Sequence, residues 1–342
     1  MHMVDNTLIS DTVLEPFLRE DNTAASKAKA LLAQQKTVWE LLRKGYESLD
    51  SVEIRTFDFG NYKIKVQFNP GRIVSSSAKV DAKSIKERKC FLCYKNLPAE
   101  QRGFQAEEDF LVLCNPFPIF TEHFTIPHVE HRPQQIRSSF DKFLSFARHL
   151  GKYYTIFYNG PKCGASAPDH LHFQAGNKFF MPIDSEYEAI KGSLGEKIIE
   201  DEKLKIYAVE KYPAKFFSFE SSEEDSLKKA FDQLYVLLKE VMGSSEEEEP
   251  MMNILSSYED NKWRVIVFPR AKHRPSYYFA EGDENILLSP ASVDMGGILI
   301  TPLEKDFRKI TKENIIDIFD QVTLPKEQFN LISKKLVKAI NF

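Results

Sequence analysis

Apolar residues recur at helical spacing through residues 24–49, at Leu31, Leu32, Val38, Leu41 and Leu42, with few helix breakers between them. The pattern predicts one long N-terminal helix. Alternation then takes over, because Tyr62-Lys63-Ile64-Lys65-Val66-Gln67-Phe68 changes face at every residue. Residues 52–68 therefore read as hairpin strands that end at the turn Asn69-Pro70-Gly71, with Arg72 just beyond it. A polar, basic stretch at 75–89 leads into Cys90-Phe91-Leu92-Cys93.

Residues 110–114 form a short apolar strand, Asn115-Pro116-Phe117-Pro118 interrupts it, and 123–127 resume an extended pattern. The spacing of Phe140, Phe143, Leu144, Phe146, Ala147, Leu150 and Tyr154 predicts a helix over 139–154, returning the chain to a second edge of the same sheet. Residues 154–158 are β-branched and aromatic, and Asn159-Gly160-Pro161 stops that strand. The loop 162–169 is rich in small residues that allow a backbone to approach a ligand closely. It delivers the chain into His170-Leu171-His172-Phe173-Gln174, which alternates polar and apolar.

A second region begins near residue 206. A helix is predicted over 225–242 from Leu227, Phe231, Leu234, Leu238 and Val241, followed at 243–250 by an exposed acidic loop with solvated glutamates. Strands follow at 252–257, 263–269 and 296–300, and helices close the chain. The order loosely echoes the first region, with no repeat at the residue level.

Composition narrows the reading only a little. A chain of 342 residues with 42% hydrophobic and 28% charged residues is an ordinary globular protein of two lobes or one enlarged domain. A formal net charge of -4 gives no global basic field, so phosphate binding has to be local and a small nucleotide suits it better than a nucleic acid. No run is long and apolar enough to span a bilayer, so no membrane association and a cytoplasmic location are expected. Four cysteines, at 90, 93, 114 and 163, are too few and too uneven for a disulfide framework.

The chemistry concentrates in the alternating segment. In a strand, His170, His172 and Gln174 share one face while Leu171 and Phe173 take the other. Imidazole can attack phosphorus near neutral pH and leave again, and a neighbouring amide N–H can stabilise developing charge. Group transfer through a covalent histidine is the reading this suggests, against a merely solvated face or a histidine pair on a metal. Cys90-x-x-Cys93 favours zinc, with further ligands to come from His123, His128, His131 or His170, against two core cysteines without metal. Asn115 is a nucleoside ligand or a turn cap, and His123 points into a pocket or to solvent. Arg270, Lys272, His273 and Arg274 form a phosphate clamp or a solvated loop.

Asn159, Gly164-Ala165-Ser166 and His170-Leu171-His172-Phe173-Gln174, taken together, resemble the signature of the histidine-triad superfamily. Glutamine in place of a third histidine resembles the branch of galactose-1-phosphate uridylyltransferase, diadenosine tetraphosphate phosphorylase and sugar-nucleotide phosphorylases. Leu171 between the histidines departs from the His-Pro-His of the uridylyltransferases and is similar to the phosphorylases of GDP-hexoses. The resemblance implies His172 as nucleophile, with Gln174 and Ser166 completing the catalytic set. It implies Arg72, Asn115, Asn159 and His123 around the nucleotide, and Cys90, Cys93, His170 and either His131 or His128 on a structural zinc.

The expectation is an α+β protein of two histidine-triad-like halves, 1–200 and 201–342, each an antiparallel sheet packed with helices, with the nucleophile in the first. Its reaction would be ping-pong transfer of a nucleoside monophosphate from a nucleotide sugar to phosphate or a sugar phosphate. Cleavage of a dinucleoside polyphosphate and non-catalytic nucleotide binding are the alternatives, and a homodimer is compatible with the relatives.

Overall fold

The alternating stretches of the chain assemble into one ten-stranded sheet, seen in a computed structural model that describes residues 7–73 and 81–340. A hairpin of β1 (Glu53–Asp58) and β2 (Lys63–Phe68) comes first and stands apart from that sheet. The first group of the large sheet is β3 (Gly103–Glu107), β4 (Phe110–Cys114), β5 (His123–Pro127), β6 (Tyr154–Asn159) and β7 (His172–Asn177). The second is β8 (Glu196–Glu200), β9 (Lys205–Val209), β10 (Phe216–Ser221), β11 (Met252–Glu259) and β12 (Lys262–Pro269).

The strand order is β3-β4-β5-β7-β6-β11-β12-β10-β9-β8, every pairing antiparallel. Read inward from either edge, the connectivity is the same: three consecutive strands, then the fifth, then the fourth. In each group a helix joins the third strand to the fourth, Phe140–Leu150 in one and Glu224–Met242 in the other. The loose echo in the sequence is thus a repeated topology, and β6 and β11 seal the two groups together through Asn159↔Asn253 to Ile156↔Ser256. The fold class is α+β, as expected.

Alternation sorts the side chains of the sheet onto two faces. Ile156, Tyr158, Phe173, Ile254, Val265 and Val267 pack under the helices Ala24–Val38, Phe140–Leu150, Glu224–Met242 and Lys326–Ala339. On the opposite face Phe157, Leu255, Ile266 and Phe268 meet β2, the helix Pro182–Leu194 and the helix Lys312–Val322. Both faces of the second group are filled with apolar side chains.

Several elements differ from the sequence pattern. The N-terminal helix is broken at Trp39, whose backbone is extended (φ -115°, ψ 101°) between Ala24–Val38 and Glu40–Glu47, and whose ring is buried. Helical spacing continues across the break, which is why the sequence reads as one helix. The helix predicted over 139–154 ends at Leu150, and β6 lies at the centre of the sheet between β7 and β11 rather than at an edge. The expected strand at 296–300 is β13 (Ile298–Thr301); it returns to the N-terminal hairpin and pairs in parallel with β2. Glu249, the last of the supposedly solvated glutamates, is buried, while Glu246, Glu247 and Glu248 are exposed. Positions 75–80 of the basic stretch lie outside the described residues. Among the described residues no helix is long and apolar enough to cross a membrane.

Candidate active site

On the first group the face that is filled core in the second group is left partly open. It carries His172 and Gln174 on β7, Phe157 and Asn159 on β6, and Thr125 on β5, and it floors a cleft of about 640 Å³. Arg72, Asn115 and Ser166 also line that cleft, together with Trp39, Leu97, Pro98 and Phe117, which supply an apolar wall. Arg72, Asn115, Asn159, Ser166, His172 and Gln174, all residues that the resemblance places at the site, therefore share one cavity. The apolar wall, Arg88, Ser289 and Asp294 were not placed there by any sequence pattern, while His273 and Arg274, read from the sequence as a phosphate clamp or a solvated loop, line the same cleft.

The histidine-leucine-histidine alternation breaks at its first member. Strand β7 starts at His172, so His170 precedes the pleat and its ring turns away from the cleft toward the cysteines. What His170 gives the cleft is its backbone: its carbonyl lies 2.8 Å from His172 Nδ1. A carbonyl only accepts, so Nδ1 carries the proton and Nε2 keeps its lone pair. Burial pushes the His172 pKa down to about 4, so the ring is neutral near pH 7. Gln134 fixes the strand beneath it, accepting from His172 N–H (2.8 Å) and donating to the carbonyls of Asn159 (2.9 Å) and His172 (3.0 Å).

His123 does not line the cleft. It is fully buried behind Gln174, and its Nδ1 accepts from Ile119 N–H at 3.3 Å. Burial first, and then the Arg72 charge, push its pKa down to about 3, which leaves a neutral ring with the proton on Nε2. Nε2 lies 3.0 Å from Gln174 Oε1 and must donate to it. The Gln174 oxygen is thereby occupied, and its NH2 is the end available to the cleft. His123 thus contacts Gln174 and does not itself line the cleft, whereas the sequence resemblance set it beside the nucleotide.

Asn159 is oriented in the same manner. Its Oδ1 accepts from Asn253 Nδ2 (3.0 Å) and Ser292 N–H (2.8 Å), with the Ser292 hydroxyl 2.6 Å away. Asn253 in turn donates to the Cys163 carbonyl at 2.8 Å and accepts from Arg270 Nη1. Arg270 is fully buried and spends its remaining N–H groups on the carbonyls of Pro290 (3.0 Å), Val322, Lys272 and His273 (each 3.1 Å). Of the basic cluster, then, Arg270 is a strut inside the second half, whereas His273 and Arg274 reach the cleft.

Asn115 is both a turn cap and a lining residue: Oδ1 accepts from Phe117 N–H at 2.9 Å and Nδ2 donates to Thr125 Oγ1 at 3.1 Å. Arg72 donates Nη1 to the Phe117 carbonyl at 2.7 Å, and its buried Nε meets no partner among the described residues. Burial lowers the Arg72 pKa to about 10, with Asp294 opposing the shift, so the guanidinium keeps its charge. The small-residue loop makes its close approach to protein: Gly164 has φ 94°, and a Cβ there would fall 2.5 Å from the Ala291 side chain.

Below the cleft, Cys90, Cys93, His131 and His170 bring four ligand atoms within 4.8 Å of one another. His170 Nδ1 lies 3.3 Å from Cys90 Sγ and 3.6 Å from Cys93 Sγ, and His131 Nδ1 lies 3.2 Å from Cys93 Sγ. Tetrahedral zinc would hold sulfur and nitrogen about 3.5 Å apart, so the cluster could hold a metal ion of that kind. His170 Nε2–H donates to the His128 carbonyl at 2.7 Å, which leaves Nδ1 as the ligand atom. His128, the other histidine offered as fourth ligand, is not part of this cluster, and its Nδ1 lies against the Glu130 backbone, 2.9 Å from the N–H.

The sheet thus holds two groups of strands of like connectivity, and in the first group one face lies open over His172 and Gln174. Residues 31–177 match the family model described as a domain of unknown function (DUF4922), and residues 190–342 match that of the GDPGP1-like, C-terminal domain. The fold is that of yeast Ap4A phosphorylase Apa2, with a TM-score of 0.54 at 15% identity over 84% of this chain and 94% of that one. The same enzyme in complex with Ap4A gives a TM-score of 0.53 at 15% identity, over 84% and 97%. No curated protein matches the chain. In fold the chain thus resembles yeast Ap4A phosphorylase, and in its C-terminal half the GDPGP1-like family, both on the side to which its His-Leu-His-Phe-Gln segment pointed.

Proposed function

We propose that the chain is a nucleotidyltransferase that phosphorolyses a nucleoside-diphosphate sugar in two steps through a nucleotidyl-His172 intermediate. The observation that carries this reading is the tautomer of His172, whose Nδ1–H is tied to the His170 carbonyl while Nε2 keeps its lone pair in a ring that lines the same cleft as two oriented amide groups. Nε2 attacks the α-phosphorus, and the N–H groups of Gln174 and Asn159 and the hydroxyl of Ser166 stabilise the oxygen charge as it grows. The charge of Arg72 holds the nucleotide phosphates, while Asn115 and the wall of Trp39, Leu97, Pro98 and Phe117 receive the nucleoside. The GDPGP1-like C-terminal match supports a nucleotide sugar as donor. A dinucleoside polyphosphate presents the same α-phosphate and is the second reading, supported by the fold shared with yeast Ap4A phosphorylase.

In this reading residues 1–200 are the catalytic half and 201–342 the supporting half. Cys90, Cys93, His131 and His170 hold a zinc ion with a structural role. The metal, when bound, locks the His170 ring and with it the carbonyl that orients His172.

Incubation with GDP-hexose, ADP-glucose, UDP-glucose and diadenosine tetraphosphate, followed by mass spectrometry of the intact chain, tests the proposal. The expected result is a nucleoside monophosphate adduct that is discharged by phosphate and absent in His172→Ala. Adduct formation or turnover retained in His172→Ala would remove His172 as nucleophile, and the adduct mass identifies the base.

A further inference from the structure

The second half contributes a basic wall to the cleft, and the α-phosphate site has no use for it. His273, Arg274 and Ser289 line the cavity from one loop region. That region is held rigidly, since the buried Arg270 binds the carbonyls of Lys272, His273 and Pro290. Arg274 Nε donates to Ser289 Oγ at 3.1 Å, its guanidinium stacks 4.0 Å over the Tyr278 ring, and His273 Nε2 lies 3.4 Å from Ser289 Oγ. A guanidinium fixed in this way is organised before any ligand arrives.

The position of this wall is set by the contact of Gly164 with Ala291, which lays the loop carrying Ser289 against the turn carrying Ser166. The charge balance of the cleft is equally informative. Among the described residues, Arg72 and Arg88 come from the first half and Arg274 from the second, against one lining carboxylate, Asp294, whose oxygens accept from the N–H groups of Ala291 (2.8 Å) and Ile300 (3.0 Å). Arg88 is already paired with Asp169 at 2.5 Å. In a chain of net charge -4, that local surplus suits a ligand with more than one phosphate group.

We infer that Arg274, with Ser289 and His273, forms the anion subsite for the group exchanged at the α-phosphorus: a sugar phosphate leaving in the first step, inorganic phosphate entering in the second. The inference rests on the nucleotidyl-transfer reading above. In the first step the Nε2 lone pair of His172 forms the N–P bond, and the bridging P–O bond breaks with its electron pair passing to the sugar phosphate. In the second an oxygen of hydrogen phosphate forms a P–O bond while the N–P bond breaks and its pair returns to Nε2. The proton of hydrogen phosphate stays on the terminal phosphate of the nucleoside diphosphate.

Equilibrium dialysis of radiolabelled inorganic phosphate against the full chain reads the subsite without turnover. Wild-type protein is expected to bind phosphate, and Arg274→Gln to bind it about tenfold to a hundredfold more weakly, the loss of one charged hydrogen-bonding partner. Arg274→Lys should recover part of the affinity, and all three proteins should melt at the same temperature. Equal binding by wild type and Arg274→Gln, no binding by wild type, or binding lost only in Arg72→Gln would each overturn the assignment. Discharge of the isolated nucleotidyl-enzyme separates the two proposals. In Arg274→Gln the half-saturating phosphate concentration should rise by the same factor while the adduct still forms, whereas a wild-type chain that forms no adduct counts against the reaction itself.

Discussion

An amide serves a phosphate only if its NH2 end faces the ligand, and here the choice of end is made by neighbours. His123 donates to Gln174 Oε1, so a Gln174→Glu substitution would keep that bond and set a second, negatively charged oxygen against the α-phosphate. The expected result is adduct formation slowed about a hundredfold or more, with an unchanged melting temperature; a rate within threefold of wild type would show that Gln174 does not donate there. Glu249 is a second residue whose surroundings set its chemistry. It accepts from Tyr158 Oη (2.5 Å) and Ile136 N–H (2.6 Å) in full burial, and burial raises its pKa from the ordinary carboxylate range to about 8. The folded chain therefore binds this proton more tightly than the unfolded chain. The stability it confers is complete below about pH 4.5 and declines as pH rises toward 8. Glu249→Gln mimics the protonated acid, so urea unfolding should find it close to wild type at pH 5 and more stable by a few kcal/mol at pH 9. Identical pH profiles for the two proteins would refute this. No sequence pattern separates Glu249 from its three exposed neighbours, because the difference lies in contacts with residues 91 and 113 positions away.

At the scale of elements, spacing was informative wherever a local rule governs. The strands at 110–114 and 123–127, and the Cys90-x-x-Cys93 pair, were legible because short apolar or extended runs, the breakers between them and ligand spacing are properties of a few neighbouring residues. The rules failed where a distant contact decides, as at Trp39, which leaves a helical pattern to line the cleft, and at His170, which leaves the strand for the cysteines. The cysteine cluster ties together three such elements, the 90–93 turn, the segment after β5 and the start of β7. A zinc ion there would therefore act on folding and on the site at once. Metal analysis should find about one equivalent of zinc, and removal by a strong chelator should lower the melting temperature by roughly 5–10 °C and slow adduct formation. A metal-free protein whose melting is indifferent to chelator and to Cys93→Ser would exclude the site.

Across the whole molecule, two groups of strands with one connectivity have been put to different uses. The face that carries Ile266 and Phe268 as core in the second group carries His172 and Gln174 over a cleft in the first. That divergence hid the repeat from the sequence, since the side chains at matching places in the sheet share neither size nor polarity. The second half lines the cleft with His273, Arg274 and Ser289 and also braces the first half. The brace runs from Arg270 through Asn253 to Asn159 across the β6–β11 seam. If Asn253 matters to the reaction only by holding the Asn159 amide, its effect should vanish once Asn159 is gone. Asn253→Ala alone is expected to slow adduct formation about tenfold, whereas in an Asn159→Ala background the same change should cost less than about twofold. Melting temperatures of all four proteins control for lost packing. Rate losses that simply multiply would show that Asn253 acts on the reaction by a route other than the Asn159 amide.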